Sequence, residues 1–502
     1  MHVHLVGVSG TGMGALAALF CEAGHVVSGS DTAFDPPIGP TLGALGVRCL
    51  TGYVASHLDP RPDLVVVGNA IRRGNAEAEA AEQLGLERAS MSAALRAHFL
   101  SGRRPLVVAG THGKTTTSAM CAWLLSRAEY EPGWFIGGVP KGLSAGAAIG
   151  SRKVRLGRQF AVQPEEPRAG ASDGGYLGRA PFVVEGDEYD AVYWQKHPKF
   201  LDYVGVATDD VAIVTSIEHD HLDIYPDVAA YEAAFRAFIR SVPAKGLLVC
   251  AAHDARVRAL VAEEASARVA FYAIEGDDTG DVTPTWLGAP AGFAADGTQP
   301  FDLFAGGVSC GRFALRVPGR HNVRNAIAAV TACAEGFGAS LGGARSNLAT
   351  FEGVRRRQEL LGEPDGVRVY DDFAHHPTAV EETLRALRTR HPRGALWAVF
   401  EPRSATSCRA LHQDAYARAF SAADHVLLAP LGRADIPAAE RLDLQRLASE
   451  LGPKASAMTG VAPIVAELAA RACSGDTIAV LSNGSFGGMS QKLLTALRSR
   501  NG

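Results

Sequence analysis

Apolar residues recur along this chain in short runs, each closed by glycine or a polar break and followed by helical spacing. "HVHLVGV" leads into a glycine-rich turn and the stretch "GALAALFCEAG", and "HVVSGSD" and "DLVVVGNA" follow in the same manner. That alternation predicts parallel sheets with helices on their faces, an α/β fold. The polar, proline-ended "SGRRP" at 101–105 interrupts it and bounds a first unit at residues 1–103. A second α/β unit, 104–352, starts at "PLVVAG" and takes in "APFVVEGDEYD" and "VAIVTSIEHDH". Within it, residues 155–180 are rich in Gly, Pro and charge and read as an inserted loop. Beyond about residue 290, short runs split by Gly and Asp-Gly predict antiparallel hairpins, followed by a helix over "HNVRNAIAAVTACAEGFG". From Gly353 onward "GVRVYDDFAHHP", "GALWAVFEPRS", "DHVLLAPLG" and "DTIAVLSNGSFGG" repeat the strand-then-loop rhythm, giving a third unit, 353–502.

Length agrees with this division, because 502 residues exceed what one core supports. Hydrophobic residues make up 47% and charged residues 20%, the balance of a globular protein. A net charge of −4 argues against binding nucleic acid through phosphate neutralisation. The eight cysteines form no C-x-x-C pair and no metal-finger spacing, so buried free thiols in a reducing compartment are expected. The chain opens directly on a strand pattern, and no apolar run reaches the ~20 residues of a membrane span. A cytoplasmic location without membrane insertion is the expectation.

The stretch "LVVAGTHGKTTTSAM" carries the first candidate chemistry. Gly113-Lys114-Thr115 ends like the phosphate loop G-x-x-x-x-G-K-[ST], yet Val108 stands where the first glycine belongs. The context still fits: a buried strand, a turn at Gly110 and Gly113, then helical spacing through Met120, Leu124 and Ala128. A helix start of this kind aims free N–H groups at one point and favours a phosphate anion. Lys114 can reach the β- and γ-phosphates and Thr115 can hold Mg²⁺. An ordinary helix capped by Thr111 or Thr115 is the plainer reading of the same residues.

The shorter form T-x-G-K-[ST]-[ST] resembles the nucleotide loop of the Mur ligases, here Gly110, Thr111, His112, Gly113, Lys114, Thr115 and Thr116. That resemblance implies five more motifs, and all occur in family order. "FVVEGDEYD" offers Glu185 as an acidic magnesium ligand, with Asp187, Glu188 and Asp190 close behind, and D-H-x-D appears as Asp220-His221-Leu222-Asp223. The adenine-side H-N-x-x-N-A is His321, Asn322, Asn325 and Ala326, and Arg357 and Asp372 supply the third-domain ATP contacts. The resemblance thus implies ATP and Mg²⁺, with Thr115, Glu185 and His221 as metal ligands. Lys114, His221, Arg357 and His376 are the implied catalytic set, and either histidine could accept a proton. Phe235 stands where many relatives carry a carbamylated lysine, so none is expected.

The N-terminal loop "VGVSGTGMGALAAL" contains Gly10-x-Gly12-x-x-Ala15, with Asp31 following 21 residues after Gly10. Taken alone, it fits a dinucleotide and a dehydrogenase, although the physics specifies only a pyrophosphate at a helix start. It also resembles the UDP-binding loop of the Mur ligases that act on UDP-N-acetylmuramate. Gly10, Thr11, Gly12, Met13 and Asp31, with Asn69 and Asn75 of "GNAIRRGNAE", are then the implied sugar-nucleotide contacts. The implied architecture has three domains: a Rossmann-like UDP-binding domain, a central P-loop-type ATPase domain and a C-terminal Rossmann-like domain. A dehydrogenase leaves "THGKTTT" unexplained, and an ATP-gated binding module leaves the metal and lysine set without a task.

Two branches of the family share these motifs. One adds L-alanine to UDP-N-acetylmuramate in new peptidoglycan; the other attaches recycled L-Ala-γ-D-Glu-meso-diaminopimelate, a murein tripeptide. "FEPRS" and "SNGSFGGMSQKLL" in the third unit resemble the tripeptide branch, as do "GNAIRRGN" and "FIGGVP". Arg403, Ser404, Asn483, Gly484 and Ser485 are the expected peptide contacts, a guanidinium fork and a glycine-rich turn suited to several carboxylates.

Overall fold

The computed structural model describes residues 1–36, 38–155, 176–433 and 435–501. Most of the expected insertion, 156–175, lies outside the described residues. Three α/β sheets organise the chain. The first is wholly parallel, in the spatial order Arg48–Thr51, Val26–Asp31, His2–Val6, Leu64–Val67, Arg88–Ser90. His2–Val6 sits in its middle and points its C-terminal end at the helix Thr11–Glu22.

The central sheet has ten strands. Arg104–Ala109 lies between Val211–Val214 and Pro181–Glu185, all parallel, so their C-terminal ends open on one edge. Every residue from Leu106 to Ala109 is fully buried, which explains Val108: the strand runs through the position where a longer loop would begin. The expected hairpins are present as Trp286–Pro290, Gln299–Ala305 and Val308–Leu315. They extend the central sheet instead of forming a layer of their own, because Trp286–Pro290 pairs in parallel with Arg268–Ile274. Gly306 and Gly307, at φ 55° and 79°, make the two-residue turn that only positive φ allows.

In the third sheet Arg368–Asp372, Thr477–Leu481, Leu396–Phe400 and His425–Leu428 lie side by side in parallel, with Glu359–Gly362 antiparallel at one edge. Apolar clusters cover both faces of it, one around Phe400 and Leu384 and the other around Trp397 and Leu493. A continuous cluster also joins the first and central sheets, running from Phe20 and Phe99 to Phe182 and Phe235. Phe20 and Phe99 pack edge to face at 5.0 Å. Among the described residues no helix is long and apolar enough to cross a membrane.

His391 closes the helix Pro377–Arg390 and sits against Tyr370, whose hydroxyl is 2.9 Å from its Nε2. Burial, aided by Arg368 and Arg390, lowers its pKa to about 4. Below its ordinary value near ~6.5 the unfolded chain takes up a proton that the folded one refuses. Stability held by this residue is therefore lost as pH falls from 6.5 towards 4. In His391→Gln the loss of urea resistance between pH 7 and pH 5 should be smaller than in the parent. An equal loss in both proteins would remove His391 from the acid response.

Candidate active site

The three sheets meet around one cavity of about 1380 Å³. Its wall takes in Gly10–Met13 and Asn69 at one end, the loop Thr111–Thr116 in the middle, and His321, Arg357, Asp372 and His376 from the other side. Both glycine loops thus face a shared space, and both begin helices whose first N–H groups remain available. Gly10 is the N-cap of Thr11–Glu22 and Gly113 that of Lys114–Arg127, and neither helix has a side-chain cap. The threonine-cap reading is excluded: the Thr111 hydroxyl donates to the Glu218 carbonyl at 2.9 Å and the Thr115 hydroxyl to Glu185 at 2.7 Å.

Packing dictates the glycines. Gly110 has φ 131°, and a Cβ there would lie 2.1 Å from Thr215 Oγ1. A Cβ on Gly113 would lie 2.4 Å from Asn325 Oδ1. The loop is wedged between the strand end at Val214 and the helix Arg320–Thr331, so Asn325 shapes it directly.

Glu188 is the charge centre. It is 1% exposed and lies 2.8 Å from Lys114 Nζ and 3.1 Å from His221 Nε2. Burial raises its pKa, but Lys114 and His221 outweigh that and hold it below the usual carboxylate range. Burial works against charge on His221, yet the hydrogen bond and charge of Glu188 lift its pKa to about 9. Lys114 also curls over its own loop, donating to the carbonyls of Gly110 at 2.6 Å and Thr111 at 3.3 Å. Glu185 accepts the Thr115 hydroxyl and, at 2.6 Å, the Gly137 N–H. Arg357 reaches across from the third sheet's side: its Nη2 donates to Thr115 Oγ1 at 3.1 Å while its guanidinium lies 4.9 Å from the Phe373 ring.

Family patterns match three stretches of the chain. The Mur ligase family catalytic-domain pattern matches residues 2–102, the Mur ligase middle domain 196–333 and the Mur ligase glutamate ligase domain 356–484. The UDP-N-acetylmuramate–L-alanyl-γ-D-glutamyl-meso-2,6-diaminoheptandioate ligase of Escherichia coli (strain K12) is 34% identical over 501 residues, covering 99% of this chain and 98% of its own. The chain belongs to the Mur ligase family. It has the three-domain α/β architecture of that family and is an ATP-dependent ligase that forms an amide bond. A murein peptide ligase structure from Psychrobacter arcticus 273-4 aligns with a TM-score of 0.69 at 32% identity, covering 99% of both chains. A UDP-N-acetylmuramate–L-alanine ligase of Chloroflexus aggregans is 35% identical, over 96% of this chain and 95% of its own.

Not every candidate of this Mur ligase faces the cavity. Asn75 caps the helix Ala76–Gln83, accepting from Glu77 and Ala78 N–H, and so supports a helix outside the cavity wall. Asp31 accepts the Ser9 N–H at 2.8 Å and the Tyr53 hydroxyl at 3.2 Å, so it holds the glycine loop from behind. Asn322 donates to the Pro318 carbonyl and accepts from Asn325, and both line the cavity. Asp372 accepts the N–H groups of Gln358 and Ala374 and fixes the turn that carries Arg357. Of the acidic neighbours, Asp190 pairs with Lys196 at 2.8 Å and Asp223 is exposed. Phe235 is fully buried, packed 5.4 Å from Phe200 and 5.1 Å from Tyr231.

The peptide candidates gather at the ends of the adjacent strands Leu396–Phe400 and Thr477–Leu481, outside the cavity wall. Arg403 lies so close over Gly484 that a Cβ there would be 2.3 Å from its Cδ. Ser404 exchanges hydrogen bonds with Ser407 and closes a turn. Asn483 keeps a buried Oδ1 without a partner among the described residues, and Ser485 is exposed. Arg356 links this loop to the cavity, donating to the carbonyls of Ser482 at 2.7 Å and Gly484 at 2.6 Å.

Two further residues had no assigned role in the sequence: Glu188, inside the acidic run, and Glu218, two residues before Asp220. Glu218 accepts from His112 Nε2 at 2.7 Å and from the Thr378 hydroxyl at 2.8 Å. Burial, then the neighbouring His112, lowers the pKa of His376 to about 3. Replacing Glu188 with Gln strands the Lys114 ammonium beside a neutral amide. Glu188→Gln should lower stability in urea unfolding by ~3 kcal/mol, the cost of breaking a buried pair. An unchanged midpoint would show that the Lys114–Glu188–His221 triad adds nothing to the fold.

Proposed function

We propose that this Mur ligase joins L-Ala-γ-D-Glu-meso-diaminopimelate to UDP-N-acetylmuramate at the cost of ATP, releasing ADP and phosphate, in murein recycling within the cytoplasm. The observation that carries the reading is the shared cavity, which two uncapped helix starts both line. A sugar diphosphate at Gly10–Met13 and a triphosphate at Gly110–Thr116 would bring the lactoyl carboxyl and the γ-phosphate into the same space. We take residues 1–103, 104–352 and 353–502 as the three working units. The choice of tripeptide over alanine rests on the Arg403 guanidinium over Gly484, a fork that suits several carboxylates, and on the full-length likeness to the Escherichia coli enzyme.

The carboxylate attacks the γ-phosphorus, the bond to ADP breaks, and an acyl phosphate forms. Lys114 and Arg357 stand where they would counter charge on the moving phosphoryl group. Thr115 and Glu185, with the buried Oε2 of Glu188 that has no hydrogen-bond partner among the described residues, offer hard oxygens that fit Mg²⁺, and His221 would join them on losing the proton it shares with Glu188. The ion, when bound, would neutralise phosphate oxygens. The alanyl amine then attacks the acyl carbon and phosphate leaves. His376 is the neutral candidate for accepting the amine proton, though burial makes it a weak base: its ring nitrogens have no hydrogen-bond partner among the described residues, whereas His221 Nε2 is engaged by Glu188. His321 and Asn325 shape the nucleotide end of the cavity, and His321 is steadied by Glu382 at 3.2 Å.

With ATP, Mg²⁺ and UDP-N-acetylmuramate supplied, ADP release should be at least ~10-fold faster with the tripeptide than with L-alanine, a difference of ~1.4 kcal/mol. Preference for alanine would move the chain to the other branch. Lys114→Ala should still bind UDP-N-acetylmuramate in calorimetry yet release no ADP. Normal ADP release by that variant would remove the phosphate-loop assignment.

A further inference from the structure

Next to the phosphate loop stands a group of side chains whose chemistry differs from that of the magnesium set. One donor atom from each of His112, Glu218 and His376 lies within 4.8 Å of the other two. The His112 and His376 rings are 4.9 Å apart, and His112 Nε2 already meets Glu218 Oε2. His376 is 4% exposed, and neither of its ring nitrogens has a hydrogen-bond partner among the described residues. A buried imidazole without any partner is uncommon, because its desolvation goes uncompensated. The Thr378 hydroxyl holds the other Glu218 oxygen at 2.8 Å, which turns the free edge of the carboxylate towards the two histidines.

We propose that His112, Glu218 and His376 form a binding site for a borderline divalent transition ion such as Zn²⁺, distinct from the magnesium site. Two imidazoles and one carboxylate, with a position left open, make a zinc-type set, whereas Mg²⁺ prefers oxygen donors throughout. Binding displaces the proton shared between His112 and Glu218 and fills the orphaned nitrogen of His376. The consequence follows from where the ligands sit. His112 rides on the phosphate loop, and His376 precedes the helix Pro377–Arg390 beside the third sheet. The ion therefore ties the loop to the third domain and occupies the nitrogen that an amine proton would need, so occupancy slows turnover reversibly.

The test uses the full chain, without substrates and with excess Mg²⁺, titrated with Co²⁺ and read by its visible d–d absorption. The expected result is one equivalent bound with the intense bands of a four-coordinate ion. In His376→Ala and Glu218→Gln affinity should fall roughly 10–100-fold. His112→Gln, altered only in a loop, repeats the comparison if either of those variants fails to fold. Coordination by the exposed Cys473 would appear instead as thiolate charge transfer in the near ultraviolet. A weak six-coordinate spectrum in the parent, or a spectrum unchanged across the variants, overturns the site. Because no ATP or sugar nucleotide is present, the outcome is independent of the ligase reading. A second readout is Zn²⁺ inhibition of ADP release at saturating Mg²⁺, expected to reverse with a chelator. No inhibition by bound Zn²⁺ would overturn the regulatory consequence.

Discussion

The active cleft depends on backbone N–H groups left without partners at two helix starts. A peptide donor turned inward without an acceptor is costly, so such a loop persists only where surrounding packing dictates its path. Here the path of the phosphate loop is set by contacts that exclude even a methyl group: Thr215 against Gly110 and Asn325 against Gly113. The strand Arg104–Ala109, fully buried from Leu106 onward, delivers the chain to that point. The uncapped donors follow from these contacts, and so does the attraction for an anion.

Charge in the cleft is arranged in two separate groups. Glu188 neutralises Lys114 and His221 beside the Thr111–Thr116 loop, while Glu218 gathers His112 and Thr378 near His376. Each carboxylate is held in its charged form by its partners in spite of burial. This separation gives the two histidines opposite character. His221 is favoured as a cation and His376 as a neutral ring.

The α/β fold and most of the loops at strand ends were legible because burial on both sides of a parallel sheet leaves continuous apolar runs, as in "PLVVA" and "TIAVL". The local contacts of Asn75 and Ser404 were not, since a polar residue beside a glycine looks the same whether or not it caps a turn. Glu188 was visible only as one of several acids in "GDEYD". Its burial, which makes it the counter-charge, comes from Tyr225, Tyr231 and Lys114, residues far away along the chain.

By itself the sequence determined the chemical kind of each loop: glycine spacing, the lysine, the threonine and the order of acidic and histidine motifs are local properties of the chain. Only the tertiary structure decided which of those groups share a space. Arg357 meets Thr115 across 242 positions, and the Gly10 loop faces the Gly113 loop because an apolar core joins the first two sheets. Contacts of that range depend on how sheets dock, and docking is set by the summed burial of many side chains, not by any one motif.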